Sequence, residues 1–238
     1  MRLFLCGKGE GAEAILRQMR EAGDLVAVFT TDERLAALAD ELDVTRTEAS
    51  VNQWHLWPWK PKLIVSIGYL DILTPAVLEW APAINCHYAL LPKRRGRSCV
   101  PWAILSGDAL TGVTWHWIDS GIDTGHILMQ ATCQIGEDET QASLFGKLHR
   151  LAAETWPAAL MLAHSGFPGL PQCGQSQYHR AGPPHGGVID PTWPAEYVER
   201  FIRAMTYPPL PCATWDGMEV KALADYVAMR WAAQWQDA

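Results

Sequence analysis

The segment RLFLCGKGEGAEAILRQMREAGDLVAVFTT, residues 2–31, decides the fold class. Its first six residues are a short apolar run that ends in glycine, which predicts a strand. Residues 11–23 contain helix formers with apolar side chains at helical spacing. Residues 24–31 return to a continuous apolar run, so the segment predicts a strand, a helix and a second strand in succession.

The same alternation continues to about residue 165. A helical pattern at 33–42 precedes the apolar run KLIVSIG at 62–68, which suits a central parallel strand covered on both faces. Further patterns predict helices at 75–80, 100–107 and 140–166, and strands at 84–87, 111–119 and 126–135. This order predicts an α/β protein with a Rossmann-like open, mostly parallel sheet.

The composition changes in GFPGLPQCGQSQ, residues 166–177, where Gly, Pro and Gln predict a linker between a main domain, 1–165, and a tail. Residues 178–238 contain a helical pattern in AEYVERFIRAM and two β-like runs, CATWDG and MEVKALADYV. They predict a small C-terminal α+β subdomain.

Charge and hydropathy exclude some classes of partner. The chain has 238 residues, of which 19 are basic and 26 acidic, so its formal net charge is −7. This charge disfavours nucleic acid and anionic membranes as partners. No charged leader precedes an apolar run, and no apolar run approaches the length of a membrane span, so a cytoplasmic protein is expected.

The cysteines and histidines show no metal or disulfide spacing. The six cysteines are scattered without a C-x-x-C pair, which favours reduced thiols. The histidines lack the spacing of metal ligands, so no metal site is expected.

A glycine motif follows the first predicted strand. Gly7, Gly9 and Ala12 form G-x-G-x-x-A, and Asp32 follows about 20 residues later, as in a dinucleotide-binding fingerprint. A glycine-rich turn also lets a helix pack closely on a sheet, and the short pattern favours that structural interpretation. An NAD-binding oxidoreductase is kept as an alternative.

Polar residues cluster in AINCHYALLPKRRGR, residues 83–97. On a strand, Asn85 and His87 share one face and Cys86 points to the other. Ligands of open α/β sheets bind beyond the carboxyl ends of strands, which draws attention to the loops that follow strands. GYLDILTP, residues 68–75, and DSGIDTG, residues 119–125, are two further loops of this kind.

Together these motifs resemble the folate-dependent formyltransferases, which transfer a formyl group from 10-formyltetrahydrofolate to an amine. The match consists of Asn85-x-His87, ALLPKRRGR, LDILTP and DSGIDTG, and it covers about residues 1–165 in element order. The resemblance implies the formyltransferase fold for that domain, with Asn85, His87 and Asp123 as catalytic residues. Such a reaction needs a hydrogen-bond donor for an oxyanion, a base, and a group that orients the base or relays its proton.

The resemblance also implies that the pterin ring of the cofactor is held largely by backbone groups of the loops 71–73 and 118–122. An apolar wall such as Ile72, Leu73 and Ile122 can sandwich the ring. The predicted cofactor-binding residues are Asp71, Ile72, Leu73, Arg97, Ile118, Asp119, Ser120, Gly121 and Ile122. His116, on the same predicted strand face as Thr114, could line the site, but the pattern favours a polar, half-exposed strand position.

The tail resembles that of the sugar N-formyltransferases, through Ile189-Asp190 with Trp193 and through FIRAM at 201–205. The resemblance implies a nucleotide-linked 4-amino sugar as acceptor, carried by UDP, dTDP or GDP, for surface polysaccharide. The predicted substrate-binding residues are Lys93, Arg94 and Arg203 for the diphosphate and Tyr207 for the nucleobase.

Alternatives remain at this stage. Lys93, Arg94 and Arg95 fit a solvated loop as well as a phosphate clamp. The acceptor can instead be another small amine, such as hydroxyornithine or glycinamide ribonucleotide, whereas the acidic chain and short tail disfavour tRNA. The β-like runs of the tail leave a homodimer open.

Overall fold

The computed structural model describes residues 1–208 and 210–233. The strands are β1 Arg2–Gly7, β2 Leu25–Phe29, β3 Thr45–Thr47, β4 Leu63–Ile67, β5 Ala83–His87, β6 Arg94–Gly96, β7 Leu110–Trp117, β8 Ile127–Gln134, β9 Gln177–His179, β10 Ala213–Trp215 and β11 Met218–Val220. The α-helices are α1 Gly9–Glu21, α2 Glu33–Glu41, α3 Pro75–Trp80, α4 Cys99–Leu105, α5 Gln141–His164, α6 Ala195–Ala204 and α7 Leu223–Ala233. Short 3₁₀ segments cover Val51–Leu56 and Pro184–Gly187.

The central feature of the described residues is a seven-stranded sheet in the order β3-β2-β1-β4-β5-β7-β8. The strands from β3 to β5 pair in parallel, and β7 pairs antiparallel with β5. The predicted α/β class with a Rossmann-like, mostly parallel sheet is confirmed. The elements predicted before residue 167 are found with ends shifted by at most two residues, whereas the three-residue strands β3, β6 and β9 were not predicted.

Apolar strands and tryptophans build the core on one face of the sheet. All five residues of β4 are buried. The ring of Phe4 lies 4.8 Å from Phe29, 5.2 Å from Trp57, 4.9 Å from Trp59 and 5.7 Å from Trp80, measured between centroids. The Trp- and Pro-rich passage before β4 therefore packs as core, because large aromatic side chains bury much apolar area.

The chain divides into two compact units, each assembled from three segments. The first unit contains residues 1–95, 112–133 and 148–177. The second contains residues 96–111, 134–147 and the described part of 178–238. The predicted division into 1–165, 166–177 and 178–238 follows the chain and stays a prediction; residues 166–177 belong to the first unit.

The tail contains the predicted helix, as α6, and two strands where the two β-like runs were predicted, of which the second is much shorter than expected. β10 and β11 pair antiparallel as a hairpin. The expectation of a β-like run over residues 218–227 is wrong beyond Val220, because α7 begins at Leu223. The Asp225 carboxylate accepts hydrogen bonds from the backbone N–H groups of Lys221 and Ala222, at 3.2 and 2.9 Å, which fixes the start of that helix. Pro209 and residues 234–238 of the predicted subdomain lie outside the described residues.

Local packing accounts for the glycine motif at the front of the chain. A Cβ atom on Gly7 would overlap the Ile67 carbonyl oxygen, and one on Gly11 would lie 2.6 Å from Tyr88 Oη. Gly9 has a φ of +78°, a conformation that glycine adopts without steric cost. Asp32 caps α2, with its Oδ1 accepting from the Leu35 N–H at 2.9 Å. These contacts explain the motif without a bound dinucleotide.

Replacing Asp32 with alanine is expected to lower the free energy of unfolding by about 1 kcal/mol, because the N-cap hydrogen bond is lost. Urea denaturation of the purified variant measures this change. Enzymatic turnover should stay at the wild-type level, since the cap serves only the helix. A large loss of turnover at unchanged stability would instead favour the nucleotide-binding interpretation of Asp32.

Candidate active site

The candidate site lies in the first unit, on the face of the sheet that carries Asn85 and His87. Both residues belong to β5, where Asn85 is half-buried and His87 is 7% exposed. Cys86 points to the opposite face and is buried, and burial raises the pKa of its thiol. Alternation along the strand therefore separates the polar pair from the cysteine, as predicted.

His116 is a further polar residue on the face of the sheet that carries Asn85 and His87. It lies directly across from Asn85 in the antiparallel pairing of β5 and β7, and paired residues point to the same side of a sheet. His116 Nδ1 lies 2.8 Å from the Trp117 carbonyl oxygen, to which it donates. Its Nε2 lies 3.2 Å from Asn85 Nδ2, which donates in turn. His116 is 2% exposed, so its interpretation as a half-exposed position is wrong.

Asp123 faces both imidazoles. Its Oδ2 lies 3.5 Å from His87 Nδ1, and its Oδ1 lies 3.5 Å from His116 Nε2. His87 Nε2 lies 2.6 Å from the Arg94 carbonyl oxygen. A carbonyl can only accept, so Nε2 carries the proton and neutral His87 presents its lone pair at Nδ1, toward Asp123. The structure thus places Asn85, His87 and Asp123 together, with His116 between Asn85 and Asp123.

Residues 119–125 form a loop that is held by internal hydrogen bonds and carries Asp123. Asp119 Oδ1 accepts from the Gly121 N–H at 3.0 Å and from Thr124 Oγ1 at 2.5 Å. Asp123 has a φ of +53°, an uncommon conformation for a residue with a Cβ. Gly125 is required, because a Cβ there would overlap the Trp117 carbonyl oxygen.

The expectation that residues 119–125 follow the carboxyl end of a parallel strand is wrong. β7 runs antiparallel to β5, and Trp117, at the end of β7, pairs with Ile84 near the start of β5. The loop therefore does not begin at the carboxyl end of a parallel strand. Asp123 reaches His87 by folding back across the face of the sheet.

The environment of His87 sets its proton affinity. Burial lowers the pKa of His87 below its ordinary value of 6.5, and the Asp123 carboxylate opposes this effect. The nearby His116 adds to the lowering. His87 is therefore neutral at pH 7 and able to accept a proton.

If His87 is the base, the rate should fall only well into the acid range. The acid limb of kcat/KM against pH is expected to report a pKa below 6.5, because burial lowers the pKa of His87 and only its neutral form accepts a proton. Initial rates across the range in which histidine titrates measure this limb. A limb centred above 6.5 would contradict the assignment.

The first predicted cofactor loop is anchored by two side chains. Asn52 Nδ2 donates to the Ile72 carbonyl oxygen at 3.0 Å, and the Asn52 carbonyl accepts from the Thr74 N–H at 2.9 Å. Tyr69 Oη donates to Asp71 Oδ2 at 3.2 Å, and burial raises the pKa of Tyr69 to about 12, so the phenol keeps its proton. The backbone of the loop is thereby fixed.

Side chains of the two predicted cofactor loops differ in exposure. Ile72 is 68% exposed and Ile122 is 41% exposed, whereas Leu73 is buried in the core cluster. Ile118 packs partly against the same cluster, and its N–H donates to the Ala83 carbonyl oxygen at 2.8 Å. Of the predicted apolar wall, Ile72 and Ile122 are therefore the accessible members. The remaining predicted residues of the second loop, Asp119, Ser120 and Gly121, are exposed.

The predicted diphosphate-binding residues have different surroundings. Lys93 is exposed, but Arg94 is only 3% exposed, so the solvated-loop alternative does not fit Arg94, and its role as a diphosphate ligand stays a prediction. Arg203 donates through Nε to Glu199 Oε1 at 2.5 Å and through Nη1 to the Glu139 carbonyl oxygen at 2.8 Å. These internal contacts do not support a diphosphate role for Arg203.

Two further predicted ligand-binding residues, Tyr207 and Arg97, lie in the second unit, as Arg203 does. Tyr207 is half-buried and its ring lies 5.0 Å from that of Phe145. Arg97 is exposed, and its backbone N–H donates to the His179 carbonyl oxygen at 2.8 Å. Their predicted contacts with nucleobase and pterin stay predictions.

Residues 1–208 and 210–233 contain neither a metal-binding cluster nor a membrane-spanning helix. Within these residues, no group of three or more His, Cys, Asp or Glu side chains could hold a metal ion. No helix in the described part of the chain is long and apolar enough to cross a membrane. Of the cysteines, Cys6, Cys86 and Cys99 are buried and Cys173 is exposed.

Residues 3–160 match the family described as formyl transferase, which covers more than half of the chain. The chain therefore belongs to the formyl transferase family, and the resemblance seen in its motifs is confirmed.

Individual relatives indicate which formyltransferases this chain is similar to. The chain is 33% identical over 226 residues to a GDP-perosamine N-formyltransferase of Brucella melitensis biotype 1, covering 89% of this chain and 87% of the relative. It is 29% identical over 227 residues to a methionyl-tRNA formyltransferase of Agathobacter rectalis, covering 86% of this chain and 73% of the relative. An N-formyltransferase from Helicobacter canadensis, solved with folinic acid and dTDP-3-aminofucose, has the same fold with a TM-score of 0.76. That structure is 19% identical, and the match covers 92% of this chain and 86% of the other.

Proposed function

We propose that this chain transfers a formyl group from 10-formyltetrahydrofolate to the amine of a nucleotide-linked 4-amino sugar. The observation that carries the proposal is the match to a GDP-perosamine N-formyltransferase over nearly the full length of both chains. The cluster of Asn85, His87 and Asp123 supports the reaction, because it supplies an amide donor, a neutral imidazole and a carboxylate on one face.

The two loops beside the cluster suit a flat, partly apolar ring. Ile72 and Ile122 expose large apolar side chains, one from each loop. The backbone of both loops is held by Asn52 and Asp119, so its polar groups are pre-organised for a pterin edge. When bound there, 10-formyltetrahydrofolate supplies the carbon that the acceptor amine attacks.

Asn85 is positioned to stabilise negative charge that develops on the formyl oxygen. Its carboxamide has two N–H groups, of which one donates to His116 Nε2. His116 thereby orients the amide, and the second N–H donates to the oxyanion. A donor fixed before reaction stabilises the transition state without reorganisation.

His87 accepts the proton that the attacking amine must lose. Nδ1 receives it, since Nε2–H is committed to the Arg94 carbonyl. Asp123 then stabilises the imidazolium across the 3.5 Å separation, and can pass the proton toward the departing nitrogen. The pair therefore serves both halves of the transfer.

The charge of the chain favours a small acceptor over tRNA. A net charge of −7 gives no general attraction to a polyanion. Hydroxyornithine and glycinamide ribonucleotide remain the alternative acceptors. We also propose a cytoplasmic location and, through the tail, a homodimer; an edge hairpin such as β10–β11 is compatible with pairing between copies.

A panel assay tests the proposal. The purified protein is incubated with 10-formyltetrahydrofolate and, in separate reactions, with GDP-, dTDP- and UDP-4-amino sugars, hydroxyornithine, glycinamide ribonucleotide and methionyl-tRNA. Turnover is expected with one nucleotide sugar, GDP-perosamine being the first to try. Turnover of only a small amine or of tRNA would overturn the sugar assignment while keeping the formyl transfer.

A further inference from the structure

Gln172 makes a set of contacts that the predicted catalytic residues do not explain. Its Nε2 donates to the carbonyl oxygens of Asp123 and Gly125, at 2.8 and 2.9 Å. Its Oε1 accepts from Arg95 Nε at 3.1 Å and from Arg95 Nη2 at 2.7 Å. A carboxamide has two N–H donors and two acceptor lone pairs, so all four positions are used. These partners also fix which end of the amide carries oxygen.

The four hydrogen bonds of Gln172, called here the Gln172 clamp, join the two segments of the chain that contact His87. On one side, Gln172 holds the backbone of Asp123, whose carboxylate faces His87 Nδ1. On the other side it holds Arg95, the residue after Arg94, whose carbonyl accepts from His87 Nε2. The contacts therefore close a ring through the imidazole of His87 and the amide of Gln172.

The Gln172 clamp holds Asp123 in a strained backbone conformation. A φ of +53° in a residue with a Cβ is a strained conformation, which persists only where the surroundings hold it. The two hydrogen bonds from Gln172 Nε2 fall on the carbonyls at either side of Thr124. Without them, the loop has less to keep the carboxylate directed at His87.

We propose that Gln172 is a positioning residue that sets the separation of Asp123 and His87. It does not touch the reacting atoms, and its effect passes through the Asp123 loop and the Arg94–Arg95 peptide. A misplacement of about 1 Å in a catalytic group can lower a rate by roughly 10²-fold. The inference rests on the proposed function for its kinetic readout only.

Three variants test the proposal. Gln172→Met keeps the length of the side chain and removes all four hydrogen bonds. Gln172→Glu removes only the two donated to Asp123 and Gly125, because a carboxylate still accepts from Arg95. Gln175→Met, at an exposed position three residues further on, is the matched control.

Gln172→Met is expected to lower kcat by roughly 10²-fold, because the base and the carboxylate separate. KM should change less than kcat, since the hydrogen bonds of Asp119 still hold residues 119–124. Gln172→Glu should lower kcat as well. Gln175→Met should match the wild type. Wild-type kcat in Gln172→Met would overturn the proposal.

A second readout does not depend on the acceptor. The titration of His87, followed by NMR of its ring protons, should move to lower pH in Gln172→Met, because the Asp123 carboxylate that favours the charged imidazole moves away. The other groups that affect the pKa of His87 are His116 on β7 and the backbone carbonyl of Arg94 on β6, and neither residue is substituted. An unchanged titration would overturn the proposal even if kcat falls.

Melting temperatures are measured for every variant. If Gln172→Met is too unstable to study, Arg95→Met removes the contacts to Oε1 from the other side, and a wild-type kcat in that variant would overturn the proposal. Failure of the wild-type enzyme to formylate any acceptor would count against the proposed function, whereas the His87 titration would still test the role of Gln172.

Discussion

Replacing His87 with alanine is expected to lower kcat by roughly 10²- to 10⁴-fold, the contribution of a positioned general base. The loss follows because Nδ1 of His87 presents its lone pair to Asp123, whereas Nε2 of the neighbouring His116 already accepts from Asn85. Binding of tetrahydrofolate should be nearly unchanged, because the two predicted folate loops are held by Asn52 and Asp119 and not by His87. Single-turnover rates and folate titration measure the two effects separately.

His164→Ala is the control for this variant. His164 is an exposed residue at the end of α5, so its removal should leave kcat at the wild-type level. If His87→Ala formylates the acceptor at the wild-type rate, proton transfer does not pass through His87, and the assignment of the base is wrong.

Replacing Asp123 with asparagine is expected to lower kcat by roughly 10²-fold, because the charge that stabilises protonated His87 is lost. Asparagine tolerates positive φ as aspartate does, so the loop should keep its conformation. The acid limb of the pH profile should move to lower pH, since the Asp123 carboxylate raises the pKa of His87 and its removal lowers that pKa further.

Asp43→Asn is a matched control, because Asp43 also has a positive φ, of 51°, and is exposed. It should leave both kcat and the pH profile unchanged. A shift of the acid limb to higher pH in Asp123→Asn would contradict the proposed coupling of Asp123 to His87.

Local rules explain what the sequence predicts well. The apolar runs of β1, β2 and β4 are continuous because these strands are covered on both faces, and the helices between them show regular apolar spacing. Alternation along β5 is enough to place Asn85 and His87 on one face. Such features depend on neighbouring residues and can be read from a single segment.

Long-range pairing explains what the sequence misses. His116 joins the site because β7 runs antiparallel to β5, and the pattern of residues 111–119 gives no direction of pairing. A period of two from Thr114 to His116 was the available signal, but it does not tell a buried neighbour of Asn85 from a half-exposed residue. Gln172 lies in a Gly- and Pro-rich passage whose composition predicts a linker, and only its contacts reveal the clamp.

Contacts with the substrate also depend on long-range packing that the sequence does not reveal. Arg94 has the residue type of a diphosphate ligand but is buried, and Arg203 is held by Glu199 and the Glu139 carbonyl. A basic residue in a motif predicts charge without predicting what the fold places beside it. The acceptor must therefore be identified by reaction rather than by side-chain type.

The most direct test is the mass of the sugar after reaction with 10-formyltetrahydrofolate, measured for the wild type and for His87→Ala with GDP-perosamine as acceptor. We expect that the wild type adds one formyl group to the sugar nitrogen and that the variant leaves the sugar unmodified in the same time. Equal formylation by both proteins, or formylation by the wild type of methionyl-tRNA alone, would contradict it.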